Sequence, residues 1–113
     1  MAGFYIQPID GGQIIRTSVS SSAGGAINSP GGTAGFIIRV YRLILVCTGA
    51  TNIKFQDGST DLTGAMALAA NGSITLDNSG EPWFVCTAGN AFAINSSAST
   101  QVSGAVWYTL NQF

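Results

Sequence analysis

The chain reads as all-β, a sandwich or barrel of short antiparallel strands. Three observations carry that reading. From Phe36 onward, turn signals recur roughly every 8–12 residues. The runs between them alternate apolar and polar residues, or are short and β-branched. No segment carries a convincing helical stripe. At 113 residues the chain is one domain by length. A chain of that size buries roughly 65% of its unfolded surface, enough for one core without staples.

The elements follow in order. Residues 1–34 are turn-rich and read as an extended N-terminal arm, ahead of a β-sandwich domain over 35–113. Within the arm, Gln13–Val19 after the Asp10-Gly11-Gly12 turn is one weak strand. "TSVSSSAGGAINSPGGTAG", Thr17–Gly35, has almost no periodic apolar signal and reads as conformationally permissive. "FIIRVYRLILVC", Phe36–Cys47, is rich in β-branched residues and bounded by glycine, which favours a long central strand over a helix. Strict alternation separates Phe36, Ile38, Val40, Arg42, Ile44 and Val46 from Ile37, Arg39, Tyr41, Leu43, Leu45 and Cys47. Arg39 and Arg42, three apart, then fall on opposite faces. An arginine in so apolar a strand needs an acidic or carbonyl partner. With five acids in the chain, that partner is expected on another subunit, and at least one arginine at an intersubunit contact or the strand rim.

Further on, Ile53 and Phe55 share a face opposite Lys54, and Asp57-Gly58 supplies a turn. "LTGAMALAA" is short and contains Gly64, so it reads as a strand or a single turn. Asn71-Gly72 between Leu68 and Ile74 is a hairpin signal, and Asn78–Gly80 is a second turn. Trp83–Cys86, then Phe92 with Ile94 after a Gly89-Asn90 turn, then alternating Val102–Tyr108 complete the series. In the pairs Trp83-Phe84 and Trp107-Tyr108, one ring faces inward and the other outward. An outward ring suits a subunit contact better than a sugar platform, because Trp and Tyr enrichment is a general interface property.

Composition narrows the function. Hydrophobic residues make up 46% of the chain and charged residues only 8%, against about 25% charged in an ordinary soluble domain. Such a surface suits burial against neighbours or subunits. The net charge is −1, and the cations are Arg16, Arg39, Arg42 and Lys54 alone, so neither nucleic acid nor anionic lipid is an expected partner. The longest uninterrupted apolar run of the central strand, Leu43–Cys47, is far short of the ~20 residues of a membrane span. "MAGFYIQPIDGG" has neither a basic nor an apolar signal region. Without export, Cys47 and Cys86 are expected as free buried thiols rather than a bridge.

No enzyme is expected. Histidine is absent, which removes the commonest general base and metal ligand. Asp57, Asp61 and Asp77 fall at turns, where Asp serves the backbone, and nothing selects Asp61 with Glu81 as a glycosidase pair. "DGSTD" lacks the spacing and distal Glu of a calcium loop. The cysteines have no C-x-x-C partner for zinc and no base to activate them. "SPGG" and "GGTAG" lack the Lys-Ser/Thr of a phosphate loop. No cofactor, metal or small-molecule ligand is expected.

A pattern of turn glycines and core positions spans about two-thirds of the chain. It comprises Ile38-Arg39-Val40; Thr51, Phe55, Gly58 and "LTG" from Leu62, with Leu68; Asn71-Gly72; Trp83-Phe84; "AGNA", Ala88–Ala91; and Gly104 with Tyr108. This resembles a small module of tailed-phage virions, the β-sandwich or jelly-roll domain of capsid decoration (cement) proteins and of related head or tail fibre modules. The resemblance implies a jelly-roll-like sandwich with no catalytic residues. It also implies a homotrimer on the exterior of the assembled capsid, with the major capsid protein as partner. The expected contacts with capsid or subunits are Phe4, Tyr5, Ile6 and Arg16 on the arm, with Arg39, Arg42, Trp83 and Trp107 on the sandwich. The alternative is a carbohydrate- or receptor-binding module of a phage tail or head fibre, using Trp83 or Trp107.

Overall fold

The computed structural model describes residues 13–78 and 80–112. These form ten strands and no helix: β1 (Ile15–Ser21), β2 (Gly25–Asn28), β3 (Phe36–Cys47), β4 (Thr51–Asp57), β5 (Thr60–Asp61), β6 (Met66–Leu68), β7 (Ser73–Asp77), β8 (Phe84–Val85), β9 (Phe92–Ser96) and β10 (Val102–Gln112). Two five-stranded antiparallel sheets result. The first has the order β1-β10-β3-β7, with β8 also on β3; the second has β2-β9-β4-β5, with β6 also on β4. β7 and β8 share one side of β3, at Arg42–Val46 and at Arg39–Val40. Counted with β5/β6 and β7/β8 as one strand each, the orders are 1-8-3-6 and 2-7-4-5. That is the winding of a jelly roll, two interlocked Greek keys. The all-β sandwich predicted by the sequence is the fold.

The core lies between the sheets. Val19, Ile38, Val40, Leu43, Leu45, Val102 and Val106 from the first sheet meet Ile53, Phe55, Phe92 and Ile94 from the second. Phe84 of β8 completes an aromatic trio with Phe55 and Phe92, at centroid separations of 5.2 and 5.5 Å. Offset rings at such spacing add to the apolar burial itself. Phe84 and Tyr108 pack against the core, while Trp83 is 46% exposed and Trp107 half-buried on the opposite side. Each aromatic pair therefore splits inward and outward as its sequence dictates.

Three local expectations are corrected. First, the sandwich does not begin at residue 35. β1 pairs with β10 over seven residues, from Ile15↔Tyr108 to Ser21↔Val102, and β2 pairs with β9. Only Val19 and Ile27 of these two strands pack on the core, too few to show as a period. The tertiary partner, not the local pattern, makes them strands. Second, Asn71-Gly72 is not a hairpin. β6 belongs to the second sheet and β7 to the first, so the turn, with Asn71 at φ 64°, carries the chain from one layer to the other.

Third, Arg39 and Arg42 lie on the same face. On β10, Trp107 pairs with Arg42 and the next residue, Tyr108, with Val40. Tyr41 is thus an extra residue, a β-bulge. Ile38 and Val40 point to the core before it, and Leu43, Leu45 and Cys47 after it. The inserted residue reverses the parity of the strand, so positions three apart both face outward.

Candidate functional site

The outer face of the first sheet gathers most of the residues that the sequence singles out. Its side chains stand in rows across β1, β10, β3 and β7. One row is Arg16, Trp107, Arg42 and Asp77; the next is Ser18, Ala105, Ile44 and Thr75; the third is Ser20, Ser103, Val46 and Ser73. Ile44 and Val46 are 41% and 40% exposed, a short aliphatic ridge along β3. The positions beside the ridge on β10 are small, Ala105 and Ser103, and form a shallow trough. β10 can lie this close to β3 because residue 104 is glycine. The carbonyl of Ile44 occupies the space that a Cβ at Gly104 requires.

The charged groups of this face are ordered. The Arg42 Nε lies 2.9 Å from Asp77 Oδ1, with both side chains exposed. The expectation that an arginine of β3 draws its acid from another subunit is thus corrected for Arg42: the cross-strand register supplies Asp77 from the same chain. Arg39 is half-buried, and its Nη1 donates to Asn111 Oδ1 at 2.8 Å. That oxygen also accepts from the buried Thr109 hydroxyl at 2.9 Å. Arg16 is exposed on β1. Trp83 and Val85, each 46% exposed, lie at the β8 edge of the same sheet, beside Val40 and Arg39. Phe4, Tyr5 and Ile6 lie outside the described residues.

The outer face of the second sheet differs. Asn95 Nδ2 donates to Gln56 Oε1 at 3.3 Å, Gln56 Nε2 donates to Asp61 Oδ1 at 2.9 Å, and Lys54 Nζ lies 3.2 Å from the same carboxylate. These hydrogen bonds, from Gln56 first and Lys54 next, hold the Asp61 carboxyl below its ordinary value. At the end of β4, Asp57 accepts from the Thr87 amide and hydroxyl and from Asn90 Nδ2, at 3.0, 2.7 and 3.0 Å. Burial pushes the Asp57 carboxyl up, but these donors outweigh it and hold the group below the usual carboxylate range. Burial, followed by the Asp57 charge, pushes the Cys86 thiol up to about 12. Cys47 and Cys86 are both free and buried, as the sequence predicts. Among the described residues no three His, Cys, Asp or Glu side chains cluster as a metal site.

Three of the face's components were not singled out by sequence: Ile44, Val46 and Asp77. The bulge at Tyr41 turns Ile44 and Val46 outward, and the pairing of β7 with β3 brings Asp77 beside Arg42; neither has a local sequence signal. Comparison of the chain with family models, with curated proteins and with solved structures returned no match.

Proposed function

We propose that this protein is a non-enzymatic virion structural subunit, a decoration or cement protein that binds an assembled phage capsid. The observation that carries the reading is the asymmetry of the sandwich. One outer face holds its polar groups in its own hydrogen bonds, whereas the other presents Ile44, Val46, Trp83 and Val85 to solvent. A rigid β module that exposes large apolar side chains on one outer face suits burial in an assembly. The resemblance to phage head modules and the low charge support the same reading. In it, copies self-associate through the sandwich, and the segment before β1, with Phe4, Tyr5 and Ile6, contacts the major capsid protein.

The test is co-sedimentation of the purified protein with assembled, undecorated phage heads. Binding at a fixed ratio per head is expected, and it should fall sharply when residues 1–12 are deleted, a change that leaves β1 intact. Protein that stays in the supernatant at every concentration overturns the reading. The second reading, a glycan- or receptor-binding fibre module, draws on the exposed ring of Trp83. It predicts glycan-array binding that Trp83→Ala abolishes.

A further inference from the structure

We infer that the outer face of the β1-β10-β3-β7 sheet is a two-fold contact, and that its occupant is the same face of a second copy. The reason is the order of residues along each row. Consider a two-fold axis parallel to the strands, between β10 and β3. It lays each row over itself in reverse. Arg16 then faces Asp77 of the second copy, and Trp107 faces Arg42, each pairing occurring twice. The charge sequence of the row is complementary to its own reversal: cation to acid at both ends, guanidinium to indole in the middle. The same operation lays Ile44 over Ala105 and Val46 over Ser103, again twice. The ridge of each copy enters the trough of the other, the ridge-and-hollow fit that an isologous interface requires.

The polar ends fit as well. Ser18 meets Thr75 and Ser20 meets Ser73, small hydroxyl pairs that leave room for the sheets to approach. Face-to-face sheets pack about 10 Å apart, and small residues at both margins keep that distance open. The exposed Arg16 gains a carboxylate, and Asp77, already bound to Arg42, accepts from both guanidinium groups. Within one copy the Arg42–Asp77 pair is neutral, so Arg16 is the charge of this row that the second copy's Asp77 offsets.

Four strands by three rows give a footprint of roughly 400 Å² per copy, about 800 Å² in total, below the range of stable interfaces and within that of weak, transient ones. The pair is therefore reversible and its population depends on concentration. This inference rests on the proposed function only in that copies self-associate. It replaces the three-fold association that the family resemblance implies with a two-fold one.

The experiment is sedimentation equilibrium of the full chain over a wide concentration range, without capsids. A monomer–dimer equilibrium is expected. Ile44→Arg should weaken it at least ~tenfold, since two charges enter two troughs, while the melting temperature of the monomer stays near that of the parent. Arg16→Asp alone and Asp77→Arg alone place like charges together at both ends of the row and should each weaken the dimer. The double reversal, R16D with D77R, should restore most of it. Asn52→Arg, exposed on the second sheet, should leave it unchanged. A trimer overturns the inference, and so does a monomer at all concentrations, a dimer indifferent to Ile44→Arg, or a double reversal no better than the singles. Head binding is read separately by co-sedimentation, so a dimer that ignores capsids sinks the functional reading and leaves this one standing.

Discussion

The two outer faces of the sandwich cover one core, the first on long strands and the second on shorter ones, and they treat solvent in opposite ways. On the second sheet, Asn95, Gln56, Asp61 and Lys54 form a chain of hydrogen bonds that needs no partner. On the first, Ile44 and Val46 stand exposed beside small residues, and beyond the Arg42–Asp77 pair the row ends in the exposed Arg16. Both faces sit over one core, so the difference is not needed for folding. Outward positions cost little in stability whichever way they are filled. What fills them records how each face meets its surroundings.

That comparison can be broken or sharpened experimentally. The largest effect is expected from Gly104→Ala. The new Cβ meets the carbonyl of Ile44, backbone that cannot step aside, so β10 must separate from β3. A loss above ~3 kcal/mol is expected in urea denaturation, with the rows of the first sheet lost first in hydrogen exchange. Phe92→Ala comes next. Its ring stacks on Phe55 and Phe84 at the centre of the core, so a loss of ~3–5 kcal/mol is expected, with protection falling on both sheets alike.

A smaller effect is expected from Asp57→Asn, which weakens the bracket between β4 of the second sheet and the segment after β8 of the first. A loss of about 1–2 kcal/mol at neutral pH is expected. The folded-state carboxyl lies below its reference value of 3.8. Its contribution is therefore complete above that value and disappears as pH falls through the folded pKa. Urea midpoints at about pH 5 and about pH 2.5 should differ more for the parent than for the variant. The smallest effects on stability come from the faces themselves. Ile44→Thr and Lys54→Ala should each shift it by no more than ~0.5 kcal/mol. Only Ile44→Thr should lower the mass at high concentration, and equal behaviour of the two removes the distinction between the faces.

Much of the fold was legible. Alternation, glycine-bounded runs and the absence of a helical stripe gave the strand class, and β3 has the bounds read from its sequence, Phe36–Cys47. The inward and outward rings of Trp83-Phe84 and Trp107-Tyr108 were legible for the same reason. Strand pairing was not. In a jelly roll almost every connection crosses between layers, so Asn71-Gly72 joins strands of different sheets, and no local signal distinguishes that from a hairpin. β2 was hidden because Ile27 is its only core-packed side chain. The site was half legible. Arg16, Arg42 and Trp107 were named, but not their row, because strict alternation fails at Tyr41. A single inserted residue moves every later side chain of β3 to the opposite face.

The pairing of β1 with β10 has a mechanical corollary. Ile15 lies opposite Tyr108, and β10 runs four residues further to Gln112, so the start of β1 and the end of β10 lie toward the same pole of the sheet. Tension applied between those two points opens the ladder one rung at a time, as a zipper, instead of loading its rungs together in shear. Sequences attached before β1 and after β10 leave from that same pole. A short linker between them should allow the chain to be reopened at another loop with the sandwich intact.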